Sequence, residues 1–194
     1  MSESPLPLFP LRTVLLPGGV LALRVFEPRY LGMVKRCARE GSGFGVCLIL
    51  EGEEVGRPAV PARTGTEARI VDFTMREPGV LGIAVEGERR FRVERRTVQD
   101  DGLVLGEVRW LPVPPRQPVA AQHGFLADLL QRLLERAGGP HAYAEQACYD
   151  DADWVSWRLA ELLPLSHDQR LHLLEEDAPA QRLDALLRWL PQLA

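Results

Sequence analysis

The sequence predicts an α+β protein, a small β-barrel followed by a bundle of helices, on three observations. Short apolar runs punctuated by Pro and Gly fill the first 117 of the 194 residues, the mark of strands and turns. Beyond them leucine recurs at helical spacing. Between the two patterns lies Leu111-Pro112-Val113-Pro114-Pro115-Arg116-Gln117-Pro118, a semi-rigid proline-rich linker. The charge balance shifts at the same place, from 17 basic and 15 acidic residues over 1–117 to 6 basic and 12 acidic over 118–194. We therefore expect a barrel subdomain with one inserted helix over residues 1–117 and a helical subdomain over residues 118–194.

The first half opens on Leu6–Leu11 and Val20–Val25, two strands separated by Pro17-Gly18-Gly19. Glu27-Pro28 starts a helix, because proline at the first helical position gives up an N–H that has no partner there. Tyr30, Leu31, Val34 and Ala38 follow at helical spacing, and Gly41-Ser42-Gly43 ends the element. Phe44–Leu50 reads as a strand buried on both faces, and the polar, Gly- and Pro-rich stretch 51–65 as a surface loop. Thr66–Met75, Val80–Glu86, Arg89–Arg95 and Leu103–Leu111 read as four more strands, with Gly87-Glu88 as a tight connection. Six or seven strands in so short a span suggest a closed or nearly closed barrel, which removes edges that invite aggregation.

In the second half, Val119–Arg136 carries Phe125, Leu126, Leu129, Leu130, Leu133 and Leu134 on one face, and Gly138-Gly139-Pro140 stops it. Asp150, Asp151 and Asp153 complement the positive end of a helix over Ala152–Leu163. Ser166 and Gln169 have the spacing of a capping box before Arg170–Glu175. Asp177 is read as the cap of a last helix bearing Leu183, Leu186, Leu187 and Leu190. Four or five helices result.

Several kinds of chemistry find no support. The 46% hydrophobic and 26% charged content is that of a globular protein with a sizeable core. No apolar run approaches the roughly 20 residues of a membrane span, and the N-terminal stretch lacks the basic start and cleavage site of a secretion signal. Cytoplasmic residence is the expectation. Cys37, Cys47 and Cys148 form no CxxC pair, so a disulfide framework or zinc site is not expected. The four histidines are scattered, and His167 and His172 lack the i, i+4 spacing of paired ligands. We expect no metal and no cofactor.

Catalytic motifs are equally thin. Lys35 is the single lysine, and no serine stands in a Ser–Lys setting. Gly41-Ser42-Gly43-Phe44-Gly45 is Gly-rich, yet no Lys-Ser/Thr follows to reach a phosphate. Glu51, Glu53 and Glu54 read as solvated loop charge. Arg90, Arg92 and Arg96 share one face of a strand and Arg89 and Arg95 the other, but Glu94 interrupts them. A phosphate-tracking surface requires an unbroken basic patch, so nucleic acid is a disfavoured partner.

Several segments together resemble the Lon protease N-terminal domain family. They are Pro5-Leu6-Pro7-Leu8-Phe9-Pro10-Leu11, Phe26-Glu27-Pro28-Arg29-Tyr30, Gly45–Leu50, Gly65-Thr66-Glu67-Ala68 before Arg69-Ile70, and Ile83–Val93. Leu159–Leu165, Leu173-Leu174-Glu175 and Arg182-Leu183-Asp184 resemble that family's downstream helices. The resemblance implies a PUA-like β pseudo-barrel followed by a C-terminal α-helical bundle. It also implies a non-catalytic module that recognises unfolded or damaged polypeptide, without ATPase or protease residues in this stretch of chain.

Phe26, Arg29 and Tyr30 are the candidate binding residues. Two rings and a guanidinium at a strand-to-helix corner can stack on and hydrogen-bond an extended chain. The competing structural reading has Phe26 and Tyr30 plugging the barrel end while Arg29 pairs with a carboxylate. Trp154 and Trp157 read as core or subdomain interface. The expected function is recognition of unfolded or exposed hydrophobic polypeptide segments, by burial of apolar side chains in a groove and backbone bonding to barrel strands. The expected partner is a separate protease or chaperone, with a weak homodimer as a further one. The alternative is a PUA-like RNA- or small-molecule-binding module.

Overall fold

A computed structural model describes residues 5–56, 59–77, 79–139 and 141–192. They divide into two compact units, residues 1–111 and 112–194. The first contains β1 (Leu6–Leu11), β2 (Val20–Val25), α1 (Pro28–Glu40), β3 (Phe44–Glu51), β4 (Val60–Glu77), β5 (Val80–Val98) and β6 (Val104–Trp110). The strands run in the order β2-β5-β4-β3-β1-β6, and an additional β5–β6 pairing closes β5, β4, β3, β1 and β6 into a ring. The β1–β3 pair is parallel, and α1 lies in the connection that this requires.

Two strands are longer than the sequence pattern suggests. The stretch 51–65, expected to be a loop, contains the start of β4, whose Ala62 and Thr64 are buried. Pairing with β3 and β5 outweighs the weak strand preference of its Gly and Pro neighbours. Gly87-Glu88, expected to be a turn, lies inside the continuous strand β5. A Cβ on Gly87 would sit 2.3 Å from the Leu16 carbonyl oxygen. The glycine is there for a close backbone approach, with Gly87 donating to Gly19 O at 2.8 Å and accepting from Gly18 at 2.7 Å.

This length lets β5 serve two layers. Its first half pairs with β2, from Val20↔Glu86 to Val25↔Leu81, and its second half pairs with β6. Phe91 and Val93 face the barrel interior with Leu6, Leu8, Cys47 and Val104. Ile83 and Val85 join a separate core with Leu23, Val25, Phe9 and the buried face of α1, Tyr30, Val34 and Cys37. Helix α1 ends at Gly41, whose φ of 64° is left-handed and open to glycine without strain.

The second unit contains α2 (Gly124–Ala137), α3 (Gln146–Tyr149), α4 (Ala152–Leu162), α5 (His167–Glu175) and α6 (Pro179–Trp189), with 3-10 turns at Ala121–His123 and Leu190–Gln192. The expected helix over Val119–Arg136 therefore starts later, after a 3-10 turn. It buries the i, i+4 row Leu126, Leu130 and Leu134 and leaves Phe125 exposed. Its expected stop at Pro140 lies outside the described residues. Asp151 caps α4 by accepting from the Asp153 N–H at 3.0 Å. The Ser166–Gln169 capping box forms reciprocally, at 3.1 and 2.9 Å. The last helix is not capped by Asp177. Its N-cap is Ala178, and Pro179 occupies the first turn, where its fixed φ suits a helix start.

Helix α4 is central and buried nearly all round, including polar residues. Arg182 of α6 is fully buried against it. Its guanidinium stacks 3.8 Å from the Trp157 ring centroid, donates to Ser156 Oγ and Glu176 O, and pairs with Asp153. A buried cation is tolerable only with such complete pairing. Trp154 makes edge contacts with Tyr149 and His141.

Candidate functional site

The strand-to-helix corner after β2 is where the three candidate residues fall. Val25 ends β2 facing the core, Phe26 and Glu27 continue in extended backbone, and Pro28 opens α1. Helical spacing then brings Tyr30 inward beside Val34, and the two candidate rings part company. Tyr30 is buried and stacked on Phe9 of β1, with centroids 4.1 Å apart and planes 22° apart. Phe26 remains half exposed, with 50% of its surface in contact with solvent.

Arg29 turns into the protein. It pairs with Glu27 at 3.0 Å, donates to the Gly102 carbonyl at 3.1 Å and lies 4.7 Å from the Tyr30 ring centroid. Its Nε is buried and finds no hydrogen-bond partner among the described residues, a cost that the cation–π contact partly offsets. Burial pushes the Tyr30 phenol above its ordinary pKa against the opposing influence of Arg29, so the ring carries a neutral hydroxyl at physiological pH. Glu27 occupies the N-cap position of α1, but its side chain makes no capping hydrogen bond among the described residues. Its carboxylate also accepts from the Gly56 N–H at 3.3 Å.

A cavity of about 390 Å³ opens at this corner, a size suited to a ligand pocket. Residues 21–25 of β2, Phe9 and Leu11 of β1, the corner residues Phe26 and Tyr30, and Val55 of the loop after β3 form its mainly apolar walls. Glu53 and Glu54, read from sequence as solvated charge, fasten that loop. Glu53 pairs with Arg12 at 2.7 Å, and Glu54 accepts from the Arg12 backbone N–H at 2.5 Å. The contribution of β2 was not foreseen. The short apolar run Val20–Val25 marks a strand, but only topology makes it an outer strand beside a pocket.

Other chemical groups stand apart from this corner. Lys35 is exposed on α1, and no cluster of three metal-ligating side chains occurs among the described residues. Three arginines of β5 are engaged within the unit. Arg95 pairs with Glu107 at 3.9 Å, Arg96 donates to Pro61 O at 3.3 Å, and Arg89 pairs with Glu67 at 2.9 Å while stacking on Trp110. Glu94 pairs with Arg109 at 3.6 Å. Cys37, Cys47 and Cys148 are free thiols, and burial pushes the Cys47 pKa up to about 12. No described helix is long and apolar enough to cross a membrane.

The fold and the corner define an α+β barrel domain with a downstream helical unit and an apolar pocket beside its outer strand. Residues 5–192 match the family described as the ATP-dependent protease La (LON) substrate-binding domain, and the chain belongs to that family. It is similar to a Lon N-terminal domain protein from Xanthomonas campestris, with 51% identity, a TM-score of 0.82, and coverage of 96% of this chain and 98% of that one. The N-terminal domain of a Mycobacterium avium complex Lon protease shares the fold at 19% identity and a TM-score of 0.67, covering 96% of this chain and 97% of its own. Lon protease 2 of Myxococcus xanthus is 37% identical over 90 residues, 45% of this chain and 11% of that protein. Lon protease of Cytophaga hutchinsonii is 30% identical over 111 residues, 56% of this chain and 13% of that protein. The matched stretch is thus a small fraction of the length of these relatives.

Proposed function

We propose that this chain is a non-catalytic recognition module for unfolded or exposed apolar segments of polypeptide, acting with a separate protease or chaperone. The observation that carries this reading is the apolar pocket at the β2–α1 corner, with half-exposed Phe26 at its mouth and Tyr30 in its wall. Burying an apolar side chain there removes both partners from water, worth about 25 cal/mol per Å² of apolar surface. Phe26 is the binding residue of the three candidates. Tyr30 and Arg29 shape the wall from behind, as their burial and internal pairing indicate. The family's description as a substrate-binding domain supports the same reading.

The pairing of Arg89 with Glu67 and of Arg95 with Glu107 argues against RNA, because a guanidinium already matched to a carboxylate adds little to phosphate neutralisation. Fluorescence anisotropy separates the readings. Labelled, reduced and carboxymethylated α-lactalbumin is titrated with the chain without ATP, beside the native protein and a single-stranded RNA. Saturable binding of the unfolded protein alone is expected. Salt-sensitive binding of RNA without binding of the unfolded protein would overturn the proposal.

A further inference from the structure

Successive side chains of a strand point to opposite faces, so a cavity lying on one face meets every second residue. The corner pocket instead meets Leu21, Ala22, Leu23, Arg24 and Val25 in unbroken succession. It therefore runs along an edge of β2. The other edge is occupied by β5 in continuous antiparallel register. Among the described residues no strand pairs with β2 on the pocket side. In such a strand every second residue turns its N–H and C=O away from the existing partner.

From this we infer that the pocket receives an extended polypeptide segment, which adds to β2 as a further strand and places alternate apolar side chains in the cavity. This rests on the polypeptide-recognition reading above and specifies the conformation that is recognised. Six residues of β2 span about 20 Å, so a segment of five or six residues fills the edge. Side chains on one face of the added strand meet Leu21, Leu23, Phe9 and the Tyr30 ring. Those on the other face lie beside Ala22 and Arg24.

Two features make an extended chain the fitting occupant. Strand edges are ordinarily guarded by several charges, a bulge or a proline. Within Val20–Val25 the single charged residue is Arg24, and the β2–β5 register runs without a shift. The charges around the pocket are also balanced. Its charged lining residues are of both signs, Arg24 against Glu27 and Glu54, and Glu27 is matched by Arg29. Selection falls on backbone pairing and on apolar residues at alternate positions.

The test uses a fluorescein-labelled peptide of alternating threonine and leucine with lysine flanks, and two derivatives N-methylated at alternate amides in opposite phase. Methylation removes donors without altering the side chains. One derivative is expected to lose about tenfold or more in affinity, about 1.4 kcal/mol, while the other binds like the parent. Hydrogen exchange should show protection of alternate amides in Val20–Val25 on binding. Equal binding by both derivatives, or protection outside β2, overturns strand addition. Binding of unfolded α-lactalbumin but not of the parent peptide overturns it too, and leaves the broader reading standing. If neither binds, both readings fall. A peptide-free dimer whose β2 amides are already protected would assign the edge to a second copy and overturn the inference.

Discussion

Phe9 and Tyr30 stack at 4.1 Å between centroids, and this contact joins β1 to the first turn of α1 in the wall of the pocket. Phe26, four residues before Tyr30, is outside that contact and half exposed. Tyr30→Ala should cost about 3 kcal/mol or more, the usual price of emptying an aromatic site in a core. Phe26→Ala should change stability by about 0.5 kcal/mol or less and weaken binding of an unfolded chain several-fold. Urea unfolding and anisotropy on the two variants check the split. Equal loss of stability in both would make Phe26 structural.

Gly87→Ala tests the close approach inside β5. The added methyl would meet the Leu16 carbonyl oxygen, and separating the strands also disturbs the Gly87–Gly19 hydrogen bond. A loss of about 1–3 kcal/mol is expected. Ala at exposed Gly32, with open space around its Cβ, should stabilise α1 by several tenths of a kcal/mol.

Arg182→Ala should destabilise the helical unit by about 3–5 kcal/mol, since it leaves Asp153 unmatched and opens space beside Trp157. Arg182→Met should cost less, because it refills part of the volume with apolar atoms. Chemical unfolding followed by tryptophan fluorescence reads both.

Glu161 predicts a pH dependence. Burial raises its pKa above the ordinary 4.5, more strongly than Arg158 and Arg170 lower it. A carboxyl with a raised folded-state pKa favours the fold while it is protonated. That contribution is present below the unfolded-state pKa and is lost as pH rises through the folded-state value. Glu161→Gln should therefore gain stability relative to the parent as pH climbs from about 4 towards 7. Paired urea titrations across that range measure it, and parallel curves would refute the assignment.

The thiols should differ sharply in reactivity. Cys148 is partly accessible, whereas Cys37 and Cys47 are buried, with Cys47 raised to about 12 and hence almost wholly protonated at neutral pH. A chromogenic disulfide reagent should label Cys148 first, and Cys47 only as the barrel opens. Mass spectrometry of partly labelled protein identifies the order.

The local chemistry of the chain was legible where it is short-range. Proline at the start of α1, the left-handed Gly41, the Ser166–Gln169 box and the Asp151 cap depend on neighbours a few residues apart, and sequence displays such neighbours directly. The α+β order of barrel then helices was legible for the same reason, since hydrophobic period changes from strand-like to helical along the chain. The resemblance of the opening and corner segments to Lon N-terminal domains pointed to the family. Non-local pairing determined the rest. Partners far apart in sequence turned residues 60–65 into strand and carried β5 through Gly87. Closure of the ring left β2 outside it, and tertiary packing separated buried Tyr30 from half-exposed Phe26. A strand's amphipathic pattern records which face meets the core. It holds no record of which edge finds a partner, because backbone hydrogen bonds are common to all residues but proline.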